Sequence, residues 1–192
     1  MNKKILFDCD GVLLDWAYAF DIWMSENGFK RIPKTDHIYE VEKRFAISKS
    51  EAIKQINKFN ESNSVGFIPA LNDAAQFIPK LYKAGYKLEV ISCLHKDKHA
   101  QKLREKNLIH LFGEVFEDIN CGLDFTKGKS EFLQKKYSGK KYFWLEDSVE
   151  HAIAGKNIGL KSVIMSHPYN SKWRGLRVSS MKEFYKLVTK TK

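Results

Sequence analysis

Several kinds of protein are excluded by what this sequence has little of. Proline is scarce, four in 192 residues, and no tract is dominated by one residue type, so a collagen-like or Pro-rich low-complexity chain is ruled out. There are only three cysteines, Cys9, Cys93 and Cys121, an odd number without metal-ligand spacing. They cannot form a disulfide framework, and they fit a reduced compartment. No apolar run approaches the roughly 18–20 residues needed to span a bilayer. Ile5-Leu6-Phe7 is too short for the core of a signal peptide, so the expectation is a cytoplasmic protein with no membrane partner. No internal repeat is visible. There is no acidic excess either: the formal net charge is +10 and the pI about 9.4, which favours anionic partners such as phosphates, nucleotides or nucleic acid.

What is present is an ordinary globular composition, 43% hydrophobic and 29% charged, in a chain long enough for one domain with a small insertion. Short apolar runs alternate with helical patterns. Ile5–Phe7, Leu88–Ile91, Tyr142–Leu145 and Val163–Met165 read as strands, with a weaker one around Glu114–Phe116. Near-continuous apolar strands belong to a parallel sheet covered on both faces. The expected fold is therefore α/β, with a three-layer core around a parallel sheet. Asp73 with Gln76 looks like a capping pair for a helix ended by Gly85, with Pro79 predicting a kink or a later start. Ser180 with Glu183 opens a C-terminal helix, whose Lys-rich end from Lys186 is expected to fray. Between Asp15 and about Phe67 the alternation stops. Trp16, Phe20 and Trp23, then Ile38, Val41 and Phe45, then Ser48 with Glu51 ahead of Ile53, Ile56 and Phe59 suggest three helices. This segment, 16–67, is expected to be a helical cap on a core made of 1–15 and 68–192.

The chemistry-bearing residues come first in the chain. Asp8-Cys9-Asp10-Gly11 places two carboxylates one residue apart at the carboxyl end of a strand, the edge where α/β sheets bind ligands. Gly11 allows a turn and a close backbone approach. Carboxylates so close repel unless a proton or cation intervenes, and a hard divalent ion, most naturally Mg2+, meets that need. Ser92 ends a second strand, Glu146-Asp147 ends another, and Lys129 opens a helical pattern. Singly, each has a bland account: a turn, a helix cap, a surface lysine. Together they can hold a cation and a phosphoryl group. Lys127 is an alternative to Lys129, which is preferred because Phe132 and Leu133 then fall on a buried face. Cys9 reads as a buried inert thiol. His95 and His99 are spaced like helical metal ligands, yet they lack a third partner and lie among lysines, as a solvated face does.

In order, Asp8-x-Asp10-Gly11-Val12, Ser92, Lys129 and Glu146-Asp147 resemble the four motifs of haloacid dehalogenase (HAD)-like phosphatases. The resemblance implies a Rossmann-like core and a role for each matching residue. Asp8 would be the nucleophile, forming an aspartyl-phosphate, and Asp10 the general acid and base. Asp8, Asp10 through its backbone carbonyl, and Asp147 would bind Mg2+, with Glu146 next to that shell. Gly11, Ser92 and Lys129 would bind the phosphoryl group.

A finer likeness lies near the C-terminus. His167-Pro168-Tyr169-Asn170, followed by Arg177-Val178 and Ser179–Phe184, resembles the end of 5'(3')-deoxyribonucleotidases. Met181 stands where that branch has a tryptophan, and Ser92-Cys93-Leu94 is not its usual second motif. The implied function is hydrolysis of a small phosphorylated substrate, a (deoxy)nucleoside monophosphate. The competing readings are a nucleic-acid end phosphatase, whose strand the basic charge would hold, and a non-catalytic HAD-like binding module.

Overall fold

The computed structural model describes residues 3–190; the ends of the expected core range, 1–2 and 191–192, lie outside them. Ile5, Leu6 and Phe7 are wholly buried within β1 (Lys4–Phe7), as a strand covered on both faces requires. Alternate side chains face opposite layers. Ile5 and Phe7 pack with Ile78 and Phe184, whereas Leu6 packs with Leu133, Tyr137 and Trp144. The remaining strands are β2 (Lys87–Ile91), β3 (Phe116–Asn120), β4 (Phe143–Glu146), β5 (Lys161–Met165) and β6 (Leu176–Val178). All pair in parallel, in the order β3-β2-β1-β4-β5-β6. The chain winds outward from β1 to β3, then returns to β4 on the other side of β1. The order reverses between β1 and β4, and a crevice opens beyond the strand ends at such a reversal.

Between β1 and β2 lie α1 (Trp16–Glu26), α2 (Val41–Phe45), α3 (Lys49–Glu61), a 3-10 turn at Asn63–Phe67 and α4 (Ala74–Lys83). The first three are the helices expected for 16–67, and no strand interrupts them. Asp15 caps α1 by accepting from the Tyr18 amide at 3.2 Å, and Ser48 caps α3 through the Glu51 amide at 3.1 Å. Their core is aromatic: Trp16 stacks on Phe20 at 4.5 Å, and Phe59 meets both rings edge-on. The two chain crossings into this segment pair with each other, the Asp15 amide with the Pro69 carbonyl and the Leu71 amide with the Leu13 carbonyl. Beyond β2 follow α5 (Lys98–Phe112), α6 (Ser130–Tyr137), α7 (Val149–Asn157) and α8 (Met181–Lys190).

Four local expectations are corrected, and one strand was not expected. The strand expected at Glu114–Phe116 begins only at Phe116, because Gly113 caps α5 and its carbonyl accepts from the Val115 amide at 2.9 Å in a local turn. β6 carries too short an apolar signal to be seen, three residues of which two are exposed. Asp73 makes no cap bond to its own helix; it accepts instead from the Met181 and Lys182 amides of α8, at 2.9 and 3.0 Å. Pro79 does not delay α4, which starts at Ala74 and runs through it. Finally, α8 stays ordered past Lys186, since Val188 is buried and its carbonyl accepts from the Tyr86 hydroxyl at 2.8 Å.

Candidate active site

Asp8 lies one residue past β1, at the reversal point of the sheet. Its amide donates to the Leu145 carbonyl of β4 at 2.9 Å, so its position is set by the sheet. Its side chain is buried, with Oδ1 2.6 Å from both the Cys9 amide and Lys129 Nζ. Both of these contacts are made by Oδ1, and Oδ2 takes part in neither. Lys129, at the head of α6, is itself buried and lies 2.6 Å from Glu146 Oε1 as well. Lys127 is exposed and is not part of this arrangement.

Glu146 is fully buried at the end of β4, and both its oxygens are taken. Oε1 meets Lys129 and His151 Nδ1 (3.0 Å), and Oε2 accepts from the Asp147 and Ser148 amides at 2.6 and 2.7 Å. Burial pushes its carboxyl up, but Lys129 and His151 outweigh that and hold it well below the usual range. Asp147, one residue on, lacks such cations. Burial, with Glu146 and Asp8 beside it, pushes it well up. Burial, then Glu146, likewise raises Asp8 to about 7 against the pull of Lys129.

Among the described residues, the side chains grouped closely enough to share an ion are Asp8, Glu146 and Asp147, with ligand atoms within 4.8 Å of one another. His95 instead meets Glu61 at 3.2 Å. The donor set is all oxygen, it carries more negative charge than Lys129 balances, and Asp8 and Asp147 are destabilised as anions. A hard divalent cation fits such a set.

Asp10 turns its carboxylate the other way. Oδ1 is 2.7 Å from Nη1 of Arg104, a residue of α5 with no exposed surface. Ser92 ends β2 with its hydroxyl buried and without a hydrogen-bond partner among the described residues. The Gly11 backbone is engaged by its neighbours. Its amide donates to the Leu14 carbonyl (2.9 Å) and its carbonyl lies 2.7 Å from His167 Nε2, so neither backbone group is free. Its contribution is room: at φ +76°, an added Cβ would sit 2.5 Å from Asp147 Oδ2.

Asp8, Asp10, Ser92, Lys129 and Asp147 line one cavity of about 480 Å³, within the range of small-molecule sites. Its outer wall comes from the 16–67 segment and includes Trp16, Tyr39, Ile53 and Ile56. Phe20 is buried in that segment's own core, so Trp16 is the α1 ring that reaches the cavity.

Sequence reasoning missed Arg104, His151 and the grip of the His167–Asn170 loop on the site. Tyr169 donates to Asp147 Oδ2 at 2.5 Å, Asn170 donates to the Asp147 carbonyl at 2.9 Å, and His167 stacks on Tyr169. For Arg104 one signal existed. Ala100, Arg104, Asn107 and Leu108 share the buried face of α5, and an arginine on such a face needs a partner.

No family model matches the chain. It is 24% identical over 157 residues to an uncharacterized 32.4 kDa protein of Enterobacteria phage T4; the match covers 79% of this chain and 56% of that protein, so the chain spans about half the length of the relative. Solved structures resemble it throughout. A haloacid dehalogenase-like hydrolase from Streptococcus pneumoniae superposes with TM-score 0.67 at 15% identity, covering 96% of this chain and 97% of that one. CbbY from Rhodobacter sphaeroides, in complex with phosphate, gives 0.59 at 18% identity and 96% coverage of each. A HAD family hydrolase from Deinococcus radiodurans, with bound phosphate and sodium, gives 0.58 at 19% identity, covering 98% and 95%. The fold is that of HAD-superfamily hydrolases. Among the described residues no helix is long and apolar enough to cross a membrane.

Proposed function

We propose that this protein is a Mg2+-dependent phosphomonoester hydrolase of the HAD type, with residues 16–67 as its cap. The observation that carries the reading is the buried Asp8–Lys129–Glu146 chain at the sheet's reversal point, with Asp147 and the unpartnered Ser92 hydroxyl facing the same cavity. Lys129 and Ser92 hold the phosphoryl oxygens and offset the charge that Asp8 must approach. Asp8 Oδ2 then bonds to phosphorus as the bond to the leaving oxygen breaks, and Asp10 gives that oxygen its proton. In the second half Asp10 takes a proton from water, whose oxygen bonds to phosphorus as the Asp8 Oδ2–phosphorus bond breaks, which releases phosphate and restores the Asp8 carboxylate. Asp8, the Asp10 carbonyl and Asp147 are the groups that would hold Mg2+, with Glu146 behind them, tied to Lys129 and two amides. When bound, the ion supplies the positive charge that lets a carboxylate meet a phosphate dianion.

The substrate we infer is a nucleoside monophosphate, deoxy forms included, rather than a sugar phosphate. Support comes from the aromatic wall, where Trp16 is held by a 3.1 Å bond from its Nε1 to Asn60 Oδ1, and from the His167–Asn170 loop beside Asp147. A base stacked on one aromatic ring gains about 1–3 kcal/mol. A phosphate-release screen over nucleotides, sugar phosphates and phosphorylated oligonucleotides tests this. Trp16→Ala should cut nucleotide kcat/KM about tenfold or more while p-nitrophenyl phosphate turnover stays near wild type. A preference for sugar phosphates or for DNA ends would remove the nucleotide and leave the phosphatase chemistry standing.

A further inference from the structure

The two carboxylates of the first motif are treated very differently by their surroundings. Asp8 faces Lys129 and the group around Asp147, whereas Asp10 is met by Arg104, from the middle of α5. Arg104 has no exposed surface, and its Nη1 lies 2.7 Å from Asp10 Oδ1 and 3.0 Å from Cys9 Sγ. Its Nε and Nη2 have no hydrogen-bond partner among the described residues. A buried ion pair is weak evidence for stability, since desolvation offsets much of the attraction, and unpartnered donors add a further cost. What this arrangement does determine is geometry. The side chain is anchored at its base by α5, where Asn107, on the same face, donates to the Ile68 carbonyl at 2.9 Å and Leu108 is packed in the core.

We propose that Arg104 is the positioning residue for the acid–base carboxylate of Asp10. This rests on the proposed phosphatase reading. By holding Oδ1, the guanidinium stops rotation of the carboxylate and leaves Oδ2 as the one oxygen able to exchange a proton with the leaving group and then with water. Asp10 is partly exposed to the cavity, its side chain keeping 24% of its surface, and among the described residues Arg104 is the cation paired with it. Arg104 itself does not reach the cavity. It is absent from the cavity lining, on which Asp10 appears.

The role predicts a loss that depends on the leaving group. A nucleoside monophosphate leaves as an alkoxide and needs a proton in the transition state; p-nitrophenyl phosphate leaves as a stable phenolate and needs it far less. In Arg104→Met, kcat/KM on a nucleoside monophosphate, which reports the steps up to release of the leaving group, should fall about 10–100-fold, the scale of loss that misplacing one group brings. On p-nitrophenyl phosphate kcat/KM should fall less than about threefold, while kcat on both substrates shares any loss in hydrolysis of the aspartyl-phosphate. Arg104→Lys, which keeps a buried donor, should recover part of the loss. In an Asp10→Asn background the Met substitution should cost nothing further. If Arg104→Met does not fold, as read by circular dichroism and Tm, the same comparison is made with Arg104→Gln, whose single amide can still donate. Equal losses in kcat/KM on the two substrates, or losses that multiply in the double variant, would overturn the positioning role. A wild-type protein that hydrolyses neither substrate would overturn the phosphatase reading itself, a result distinct from active wild type with equal losses.

Discussion

Asp8 and Asp10 stand one residue apart on the same turn, yet an amide at each should have different consequences. Asp8→Asn removes the only oxygen positioned to attack and should abolish turnover of every phosphate ester while leaving the fold intact. Asp10→Asn leaves the attack possible and removes proton transfer, a factor of about 10²–10⁴ for a poor leaving group, with aryl phosphates suffering less. Steady-state kinetics on both substrate types checks this, and wild-type activity in Asp8→Asn would end the assignment. Gly11 is a residue of a different kind. Its φ of +76° and the 2.5 Å approach to Asp147 leave no place for a side chain, so it serves the site by being small.

At the scale of elements, the least expected connection is Asp73. It looks like the cap of the helix that follows it, but it serves the start of α8, more than a hundred residues away in sequence. Ser180 accepts from the Glu183 amide at 3.2 Å and the Glu183 carboxylate accepts from the Ser179 amide at 2.8 Å, so the first amides of α8 are met from two elements. Losing a cap costs about 1 kcal/mol, and Asp73 meets two amides with a formal negative charge at the positive end of the helix. Asp73→Ala should therefore lower Tm by about 2–6 °C, at roughly 2–4 °C per kcal/mol for a chain of this size. The far-UV signal of α4 should be untouched, because α4 takes no bond from that side chain. A scanning-fluorimetry Tm equal to wild type would mean that solvent replaces Asp73 without loss.

For the whole molecule, the consequence concerns the cost of gathering like charges. Asp8, Glu146 and Asp147 are buried together, Lys129 pairs with Asp8 and Glu146 but not with Asp147, and burial beside like charges raises Asp8 and Asp147. A divalent ion bound by the folded state alone should stabilise it by about 2.7 kcal/mol at a hundredfold excess over Kd, or about 5–10 °C in Tm at this size. EDTA should reverse the shift, and Asp147→Ala should abolish most of it. A Tm indifferent to Mg2+ up to tens of millimolar would contradict the metal site irrespective of any assay of turnover.

The α/β alternation, the helical 16–67 segment and the strand-end residues Asp8, Ser92 and Asp147 were legible in the sequence because they are local. Buried strands are continuous apolar runs, amphipathic helices repeat every three or four residues, and a polar residue directly after a strand must lie at the sheet edge. Lys129 was legible for the same reason, through the apolar pair Phe132 and Leu133 that sets which way its helix faces. The partners of these residues were not legible. That Arg104 meets Asp10, that Tyr169 meets Asp147, that Glu146 is wholly taken up by its neighbours, and that Asp73 caps a distant helix all depend on the parallel winding β3-β2-β1-β4-β5-β6. The sequence by itself determined which residues stand at the strand ends, since burial and periodicity act over a few residues. Only the tertiary structure decided which oxygen each carboxylate keeps free, because hydrogen bonds and ion pairs act over about 3 Å between segments that the chain order leaves far apart.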